Sequence, residues 1–319
     1  MSARGDPAAE GRVIRVLTGC TAAGKTEWAI RWAEANAAEI ISCDSLLFYR
    51  GMDIGTAKPT REELSRVPHH LIDIRDVSEP MNVALYCAMA LKAAQEIVSR
   101  GRAVLVVGGS GFYLKSYFAP VADSVAVPGD VRAAVASLMR DGGLAGLIGE
   151  LARRNPEGIA GVDPANPRRV AAALERCLAS GKTLAELASS FGRAPCAFAG
   201  WDVRLARIDL PAARLEERIS ARVDAMLGAG LVDEVRRLAA AGLRSNPSAA
   251  RAIGYRETLD ALEGRLEIGS LAAAIAKDTR ALVKKQRTWF RTQLPGHEVH
   301  DASDPSGAAR LFAGSGAAP

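Results

Sequence analysis

The chain lacks the features that mark membrane, secreted and zinc-binding proteins. Among its 319 residues, no apolar run approaches the roughly 18 residues needed to span a bilayer, and residues 1–12 contain no apolar core of a secretory signal. The five cysteines are scattered, without a Cys-x-x-Cys pair, so neither structural zinc nor a disulfide framework is expected. We therefore expect a cytoplasmic protein with no membrane partner.

An acidic residue is also missing where energy-coupling ATPases carry one. The apolar run at 103–107 predicts a buried strand, and Gly108-Gly109-Ser110-Gly111 follows it. Motor-like and switch-like ATPases have at this point a carboxylate that helps to hold Mg²⁺. Bare backbone and a hydroxyl are instead typical of close approach to a ligand. The sequence therefore argues against an energy-coupling ATPase.

The composition itself is that of a folded globular protein. Apolar residues make up 49% of the chain and charged residues 24%, which is enough to bury one large core or two smaller ones. The formal net charge is +5. This modest excess of positive charge favours an anionic partner.

The most informative motif follows the first predicted strand. An apolar run at 13–17 leads into Gly19-Cys20-Thr21-Ala22-Ala23-Gly24-Lys25-Thr26, and a helical pattern at 27–36 comes next. A G-x-x-x-x-G-K-[ST] loop in this context turns backbone N–H groups and a helix N-terminus towards phosphate oxygens. Lys25 adds a charge for the terminal phosphates, and Thr26 adds a hydroxyl for Mg²⁺. The loop predicts phosphate binding with Mg²⁺ as cofactor.

Alternating strand and helix patterns predict an α/β fold, with a P-loop NTPase-like parallel-sheet core. Further strands are expected at 39–43, 68–74, 103–107, 203–210 and, as an edge strand, 298–300. Between the strands at 103–107 and 203–210, the sequence predicts helices instead, at 131–141, 144–154, 167–180 and 184–191. We therefore predict a catalytic core at 13–119 and 196–300, a helical insertion at 120–195, and tails at 1–12 and 301–319.

Asp44 is the main candidate for acid–base chemistry. It follows the strand predicted at 39–43, and the carboxyl ends of parallel strands share one crevice with the phosphate loop. Capping the next helix is the alternative role.

Loop 46–59 has no regular period, and its glycines and proline indicate an ordered functional loop. His69 and His70 point to opposite faces of a strand, so we expect structural or substrate-lining roles rather than one metal site.

Two basic patterns favour anionic ligands. Arg218 and Arg222 lie one helical turn apart and so could meet one diphosphate, with a solvated face as the alternative. A helical stripe beside Trp289 and Phe290 favours contact with a nucleic-acid backbone, although a solvated face is again the alternative. The stripe consists of Lys277, Arg280, Lys284, Arg287 and Arg291.

Three hypotheses follow from these residues. A small-molecule kinase would use Lys25 and Mg²⁺ on a transferring phosphoryl group, with Asp44 as the base. Alternatively, the diphosphate departs and carbon is transferred to a nucleic acid, which suits the large insertion and the basic stripe better. A nucleotide-gated RNA-binding module is the third hypothesis, and the missing acidic residue after 103–107 weakens it.

Taken together, the motifs resemble the tRNA dimethylallyltransferase family from about residue 13 to residue 291. The resemblance rests on the phosphate loop, on Asp44-Ser45 with loop 46–59, on Gly108-Gly109-Ser110, and on segments 251–256 and 284–291. It implies transfer of a dimethylallyl group from dimethylallyl diphosphate to N6 of the adenine 3′ of the anticodon, with release of diphosphate. An adenylate isopentenyltransferase, which modifies free adenine nucleotides, is the nearest alternative within the wider family.

The resemblance also implies roles for individual residues. Asp44 is the base for the adenine N6 proton, Ser110 bonds near the adenine or the leaving group, and Arg218 and Lys25 stabilise the diphosphate. The implied diphosphate-binding residues are Gly19, Thr21, Ala22, Ala23, Gly24, Lys25 and Thr26, with Thr26 also on Mg²⁺. The implied contacts to the tRNA anticodon stem-loop are Asp44, Ser45, Leu46, Leu47, Ser110, Arg132, Arg168, Arg169, Arg251, Gly254, Tyr255, Arg256, Lys284, Lys285, Gln286, Arg287, Trp289 and Arg291. The insertion matches the helical clamp on tRNA, and a monomer is expected.

Four positions depart from the usual family pattern. Cys20 replaces a proline, Ala23 a serine and Ser110 a threonine, and Ala172 stands where an arginine is common. Because the loop acts mainly through its backbone and Ser110 keeps a hydroxyl, we expect activity to survive. Ala172 is expected to weaken one RNA contact. The eukaryotic C-terminal zinc finger is missing from the sequence, so the resemblance is to the bacterial type.

Overall fold

A computed structural model describes residues 12–121, 125–192 and 195–313, which form two compact units. The first unit comprises the described parts of Met1–Ala119 and Ala197–Pro319, and the second those of Pro120–Cys196. The sequence placed the insertion at 120–195. Within the described residues, no helix is long and apolar enough to cross a membrane. None of the five cysteines forms a disulfide.

The first unit is built on a parallel sheet. Its strands are β1 (Val13–Gly19), β2 (Ala38–Ser42), β3 (His69–His70), β4 (Ala103–Gly108), β5 (Asp202–Asp209) and β6 (Glu298–Asp301). They form one six-stranded sheet in the order β3-β2-β4-β1-β5-β6, with every pairing parallel. All five residues of β2 are buried, as expected for a strand covered on both faces. The predicted α/β class with a parallel P-loop-like core is confirmed.

The third strand is shorter than predicted. A strand was expected over 68–74, but only His69–His70 pairs with β2. Leu71 and Asp73 have positive φ angles of 62° and 55°, which end the extended conformation. The apolar and polar alternation of this segment therefore belongs to a turn rather than to a strand.

Helices connect and cover the strands. They are α1 (Lys25–Ala35), α2 (Arg61–Arg66), α3 (Val83–Ser99), α4 (Gly111–Lys115), α5 (Gly129–Arg154), α6 (Pro167–Ser180), α7 (Leu184–Gly192), α8 (Ala212–Gly228), α9 (Leu231–Ala240), α10 (Pro247–Ala250), α11 (Tyr255–Leu262) and α12 (Leu271–Gln293). Side-chain caps fix several starts. For α3, the side chain of Asn82 accepts a hydrogen bond from Leu85 N at 2.9 Å.

The second unit is a small helical bundle with its own core. Val135 and Leu151 of α5, Val170 and Leu174 of α6, and Leu187 of α7 belong to one buried apolar cluster. The sequence predicted two helices at 131–141 and 144–154, and α5 is indeed kinked between them. Gly143, at the kink, has a φ of 59° and a ψ of −160°, a conformation that glycine adopts readily.

The predicted C-terminal tail at 301–319 is wrong for residues up to 313. Pro305–Arg310 forms a 3-10 helix, and Leu311 and Phe312 after it are buried. The indole N–H of Trp32 donates to Leu311 O at 3.2 Å, and the Trp32 and Phe312 rings meet edge to face at 5.5 Å. The small residues of this segment suggested a tail, whereas two apolar residues anchor it to α1. Residues 314–319 lie outside the described residues, as do residues 1–11 of the predicted N-terminal tail.

Candidate active site

A cavity of about 910 Å³ opens at the carboxyl ends of β1, β2 and β4. Ligands of open parallel sheets bind at this edge, so the location agrees with the sequence argument. Fifteen residues predicted for the site line the cavity, namely Thr21, Ala22, Gly24, Lys25, Thr26, Asp44, Ser45, Leu46, Leu47, Ser110, Arg218, Arg251, Lys285, Gln286 and Trp289. The fold thus brings together the phosphate loop, the predicted base and part of the predicted RNA surface.

The phosphate loop has the backbone expected of an anion cradle. It connects β1 to α1, which begins at Lys25, so the loop leads directly into a helix N-terminus. Ala22 and Gly24 adopt positive φ angles of 63° and 92°. Gly19 is also required, because a Cβ there would lie 2.5 Å from the carbonyl oxygen of Ile208. Cys20 and Ala23, which replace the usual proline and serine, are both buried, and neither has a positive φ angle.

Three cations face the cavity with few partners. Lys25 Nζ donates to the carbonyl oxygens of Gly19 and Cys20 at 3.0 and 2.9 Å. Arg218 donates to Ala23 O at 3.3 Å, and Arg222 donates to Thr56 O at 3.0 Å. In the described parts of the chain, the hydrogen bonds of these three side chains go to backbone carbonyls only, and none of the three forms an ion pair.

Burial affects the charges of this group. It lowers the pKa of Lys25 to about 8, and the negative charge of Asp44 opposes this shift. Burial also lowers the pKa of Arg222, again opposed by Asp44. Partly buried cations without ion pairs are stabilised by an anion placed among them. The electrostatics of the cavity therefore favour a ligand with more than one negative charge, such as a diphosphate.

Asp44 is partly exposed at the cavity, directly after β2. Its Oδ1 accepts a hydrogen bond from Leu46 N at 3.1 Å, which orients the carboxylate in a turn. Residues 45–48 form turns and not a helix, so the alternative role as a helix cap is wrong. Within the described residues, Oδ2 has no hydrogen-bond partner and is available to accept a proton.

Ser110 joins the two loops that follow β2 and β4. Its Oγ accepts from Ser45 N at 2.9 Å and donates to Ser45 Oγ at 3.2 Å. The glycine before it at 108 has no room for a side chain, because a Cβ would lie 2.0 Å from Cys43 O. Gly108, the last residue of β4, therefore permits close contact with Cys43 after β2, and Ser110 places a hydroxyl beside Asp44-Ser45.

Several predicted RNA contacts are engaged within the protein. Gln286 accepts from Thr21 N at 3.0 Å and donates to Gly109 O at 3.0 Å, so its amide links the phosphate loop to the loop after β4. Tyr255 has 0% exposure and Gly254 is also buried, so neither presents an open surface to RNA in this structure. Arg256 is exposed but pairs with Asp278.

The basic stripe of α12 is partly neutralised. Arg287 donates to Asp209 Oδ1 at 2.8 Å and to Leu210 O at 2.6 Å, and the hydrogen bond to Asp209 raises the pKa of Arg287. Arg280 pairs with Glu216. The remaining cations of α12 are exposed and form no ion pair with described residues, namely Lys277, Lys284, Lys285 and Arg291. Fewer cations of the basic stripe are therefore available to contact nucleic acid than the sequence pattern indicated.

In the second unit, the predicted RNA contacts lie on the surface of helices. Arg168 and Arg169 are exposed in the first turn of α6, and Arg132 is exposed near the start of α5. Ala172 is exposed one turn after Arg168 on α6. An arginine at Ala172 would extend this basic surface, and the expected loss of one RNA contact stays a prediction.

The two histidines have separate environments. His70 Nε2 lies 2.7 Å from Glu39 Oε2, which ties β3 to β2. His69 lines the cavity, and burial lowers its pKa. His70 therefore has a structural partner and His69 faces the ligand space.

Sequence reasoning missed Glu234. This buried residue of α9 accepts hydrogen bonds from three consecutive backbone N–H groups, those of residues 53–55. The available signal was an acidic residue on the apolar side of an amphipathic helix, between Leu231 and Val235.

The donor set fits a Mg²⁺ ion that binds together with a diphosphate. Thr26 and Asp44 both line the cavity and provide oxygen atoms. The described residues contain no group of three or more His, Cys, Asp or Glu side chains that could hold a metal ion. Mg²⁺ commonly takes one or two protein oxygens and completes its shell with phosphate oxygens and water, so no larger protein site is needed.

Comparisons with known proteins identify the family of the chain. Residues 47–293 match the IPP transferase family model. The tRNA dimethylallyltransferase of Opitutus terrae is 64% identical over 299 residues, which cover 94% of this chain and 96% of that protein. The tRNA dimethylallyltransferase of Deinococcus radiodurans is 39% identical over 310 residues, covering 96% of this chain and 98% of that protein.

Comparison with solved structures also finds proteins whose folds are similar to that of this chain. The full-length tRNA isopentenylpyrophosphate transferase of Bacillus halodurans has a TM-score of 0.68 and 32% identity, covering 95% of this chain and 96% of that one. A eukaryotic dimethylallyltransferase acting on tRNA has a TM-score of 0.80 at 24% identity, covering 95% and 77%, and this likeness bears on the fold alone. Since the family model covers most of the chain and close relatives cover nearly all of it, the chain belongs to the IPP transferase family.

Proposed function

We propose that this chain is a tRNA dimethylallyltransferase that moves a dimethylallyl group from dimethylallyl diphosphate to N6 of the adenine 3′ of the anticodon. The observation that carries the proposal is the arrangement of three cations without ion pairs around a phosphate loop, with Asp44 beside them. A diphosphate supplies the missing negative charge, and a carboxylate next to it can accept a proton. Family membership makes a tRNA adenine the acceptor.

The diphosphate binds in the phosphate loop. Backbone N–H groups of residues 22 and 24–26, at the N-terminus of α1, would face its oxygens, and Lys25 and Arg218 add positive charge. Thr26 would hold a Mg²⁺ ion, which would supply further neutralisation of the leaving group when bound. As the bond between the allylic carbon and oxygen breaks, its electron pair goes to the diphosphate. The cations stabilise this developing charge more than the ground state.

Asp44 acts on the other reactant. The adenine N6 attacks the allylic carbon, and its N–C bond forms as the carbon–oxygen bond breaks. N6 becomes more acidic as this bond forms, and Asp44 Oδ2 takes its proton. Ser110 positions the site by joining Ser45 to the loop after β4.

The adenine must leave its stack to reach Asp44, at a cost of roughly a few kcal/mol that protein contacts offset. Arg251, Lys285 and Trp289 line the cavity, and we expect them to contact the flipped base or its neighbours. Exposed cations of α12 and of the helical unit would contact phosphates. They include Lys284, Arg291, Arg132, Arg168 and Arg169.

Lys284→Ala is expected to weaken tRNA binding and to reduce its salt dependence. Lys284 is exposed and forms no ion pair within the described residues, so its charge is free to neutralise a phosphate. Each lost phosphate contact lowers the slope of log Kd against log salt by about 0.7 to 0.9. Titrations of tRNA at several salt concentrations measure the slope. Lys92→Ala, an exposed lysine of α3, is the control, and an unchanged slope for Lys284→Ala would make this side chain only solvated.

The function itself is tested on an anticodon stem-loop RNA. The RNA is incubated with dimethylallyl diphosphate and Mg²⁺, digested to nucleosides and analysed by mass spectrometry. The expected product is N6-dimethylallyladenosine from the position 3′ of the anticodon. A stem-loop with guanine at that position is the control, and product from it, or no product from the adenine stem-loop, contradicts the proposal.

Cytoplasmic location and a monomeric state belong to the same proposal. The substrate tRNA works in the cytoplasm with the ribosome, and one chain supplies the phosphate loop, the base and the three cations of the cavity. Sedimentation of the enzyme with and without tRNA tests the monomer.

A further inference from the structure

Glu234 is a buried carboxylate with an unusual set of partners. It is 1% exposed, and its Oε2 accepts from Asp53 N at 3.0 Å and from Ile54 N at 2.7 Å. Its Oε1 accepts from Gly55 N at 3.1 Å and from the Tyr255 hydroxyl at 2.7 Å. A carboxylate is costly to bury unless its oxygens are well bonded, and these four donors meet that requirement. The side chain therefore fixes the backbone of residues 53–55.

The fixed backbone leads directly to the cavity. Gly55 lies flat against Tyr255, because a Cβ on Gly55 would be 2.5 Å from the tyrosine ring. Gly55, Thr56 and Ala57 all line the cavity. The Thr56 carbonyl points at the Arg222 guanidinium and accepts its hydrogen bond at 3.0 Å. A continuous set of bonds thus runs from Glu234 to Arg222.

Arg222 is one helical turn from Arg218 on α8 and lines the same cavity. The Thr56 carbonyl is its one hydrogen-bond partner among the described residues. A long side chain that is held by a single carbonyl depends on the position of that carbonyl. A shift of the 53–57 backbone would therefore move the guanidinium away from the ligand space.

We infer that Glu234 is a positioning residue for prenyl transfer, which holds the Thr56 carbonyl in place so that Arg222 meets the departing diphosphate. The inference rests on the proposed function and adds Glu234 to it. Arg222 contacts the leaving group, and Glu234 acts only through Arg222. Neither residue needs to contact the tRNA.

A double-mutant cycle tests this connection. Glu234→Gln keeps the size of the side chain but presents an amide N–H₂ to groups that are themselves donors, so the loop is expected to shift. Glu234→Gln and Arg222→Ala should each lower kcat by about 10- to 100-fold, with the KM for tRNA changed less than about twofold. The double variant should be no slower than Arg222→Ala alone. Losses that multiply would overturn the inference, because independent effects add in free energy.

Two further variants separate positioning from stability. Glu257→Gln alters another buried carboxylate, which accepts from Gly254 N at 2.7 Å at the start of α11. If Glu257→Gln lowers kcat, its double variant with Arg222→Ala should show the product of the two losses. Tyr255→Phe removes one of the four bonds to Glu234 and should give a smaller loss that disappears in the Arg222→Ala background. If Glu234→Gln does not fold, Tyr255→Phe alone decides the question.

Calorimetry of the binding of inorganic diphosphate with Mg²⁺ gives a further measurement, which does not require the acceptor tRNA. Glu234→Gln should weaken this binding by about tenfold in the parent and leave it unchanged in Arg222→Ala. If tRNA is not modified but this coupling is observed, the proposed function fails and the positioning role stands. If tRNA is modified and Glu234→Gln weakens binding equally in both backgrounds, only the positioning role fails.

Discussion

Asp44→Asn is expected to lower the rate of prenyl transfer by about 10²- to 10⁴-fold, which is the usual contribution of a positioned general base. The amide cannot take the N6 proton, but its oxygen can still accept the hydrogen bond from Leu46 N, so the turn is retained. Binding of tRNA should change little, because the lost function concerns a proton and not a phosphate. Single-turnover transfer and equilibrium binding of tRNA measure the two quantities separately.

The matched control for Asp44→Asn is Asp76→Asn. Asp76 is an exposed carboxylate that pairs with Arg50 at 2.8 Å and does not line the cavity. Its replacement should leave both transfer and tRNA binding near the parent values. Near-normal transfer by Asp44→Asn would remove Asp44 as the base, and a parallel loss of tRNA binding would assign it to RNA recognition instead.

Lys25→Met is expected to have the second large effect. It should lower kcat/KM for dimethylallyl diphosphate by about 10²- to 10³-fold. The substitution keeps much of the side-chain length but removes the charge among the phosphate-loop N–H groups. The KM for tRNA should remain close to that of the parent. Lys92→Met, an exposed lysine of α3, is the control and should be neutral.

The pH dependence of kcat/KM for dimethylallyl diphosphate is a second test of the role of Lys25. Burial lowers the pKa of Lys25 to about 8 in the free enzyme, so its ammonium loses a proton as the pH rises through that value. We expect kcat/KM for dimethylallyl diphosphate to fall above about pH 8, because the neutral amine attracts the diphosphate less. Bound diphosphate favours the charged form, so kcat should fall only at higher pH. An identical alkaline decrease in Lys25→Met would assign it to another group.

Local patterns were enough to predict much of the fold. The helix α6 begins and ends at the residues predicted, since its ends carry strong local signals. Asn166 caps α6, Pro167 occupies its first turn, and Gly181 ends it with a φ of 67°. The phosphate loop and Asp44 could likewise be placed, because the carboxyl ends of parallel strands meet at one edge of the sheet.

Features that depend on distant partners could not be predicted. Arg287 belongs to a regular basic stripe, but Asp209 neutralises it from 78 positions earlier in the chain. Glu234 bonds to the backbone N–H groups of residues about 180 positions before it. Leu311 and Phe312 are buried, and both contact Trp32 of α1. Composition and periodicity contain no information about such pairings.

The buried Tyr255 shows the same limit for the site. Segment 251–256 resembles a tRNA-contacting segment as a whole, yet its residues face different ways. Arg251 lines the cavity and Arg256 is exposed, whereas Tyr255 bonds to Glu234 inside the protein. A motif identifies a segment, and only the fold separates the residues that contact a ligand from those that support them.

Acceptor choice tests the central claim most directly. Labelled dimethylallyl diphosphate and Mg²⁺ are supplied with unmodified tRNA, AMP and ADP in parallel, and consumption of ATP is followed in the same preparation. The account predicts label in tRNA alone, at the adenine 3′ of the anticodon, with one diphosphate released for each group transferred. Label in AMP or ADP would contradict the tRNA acceptor, and ATP consumption without transfer of label would contradict prenyl transfer itself.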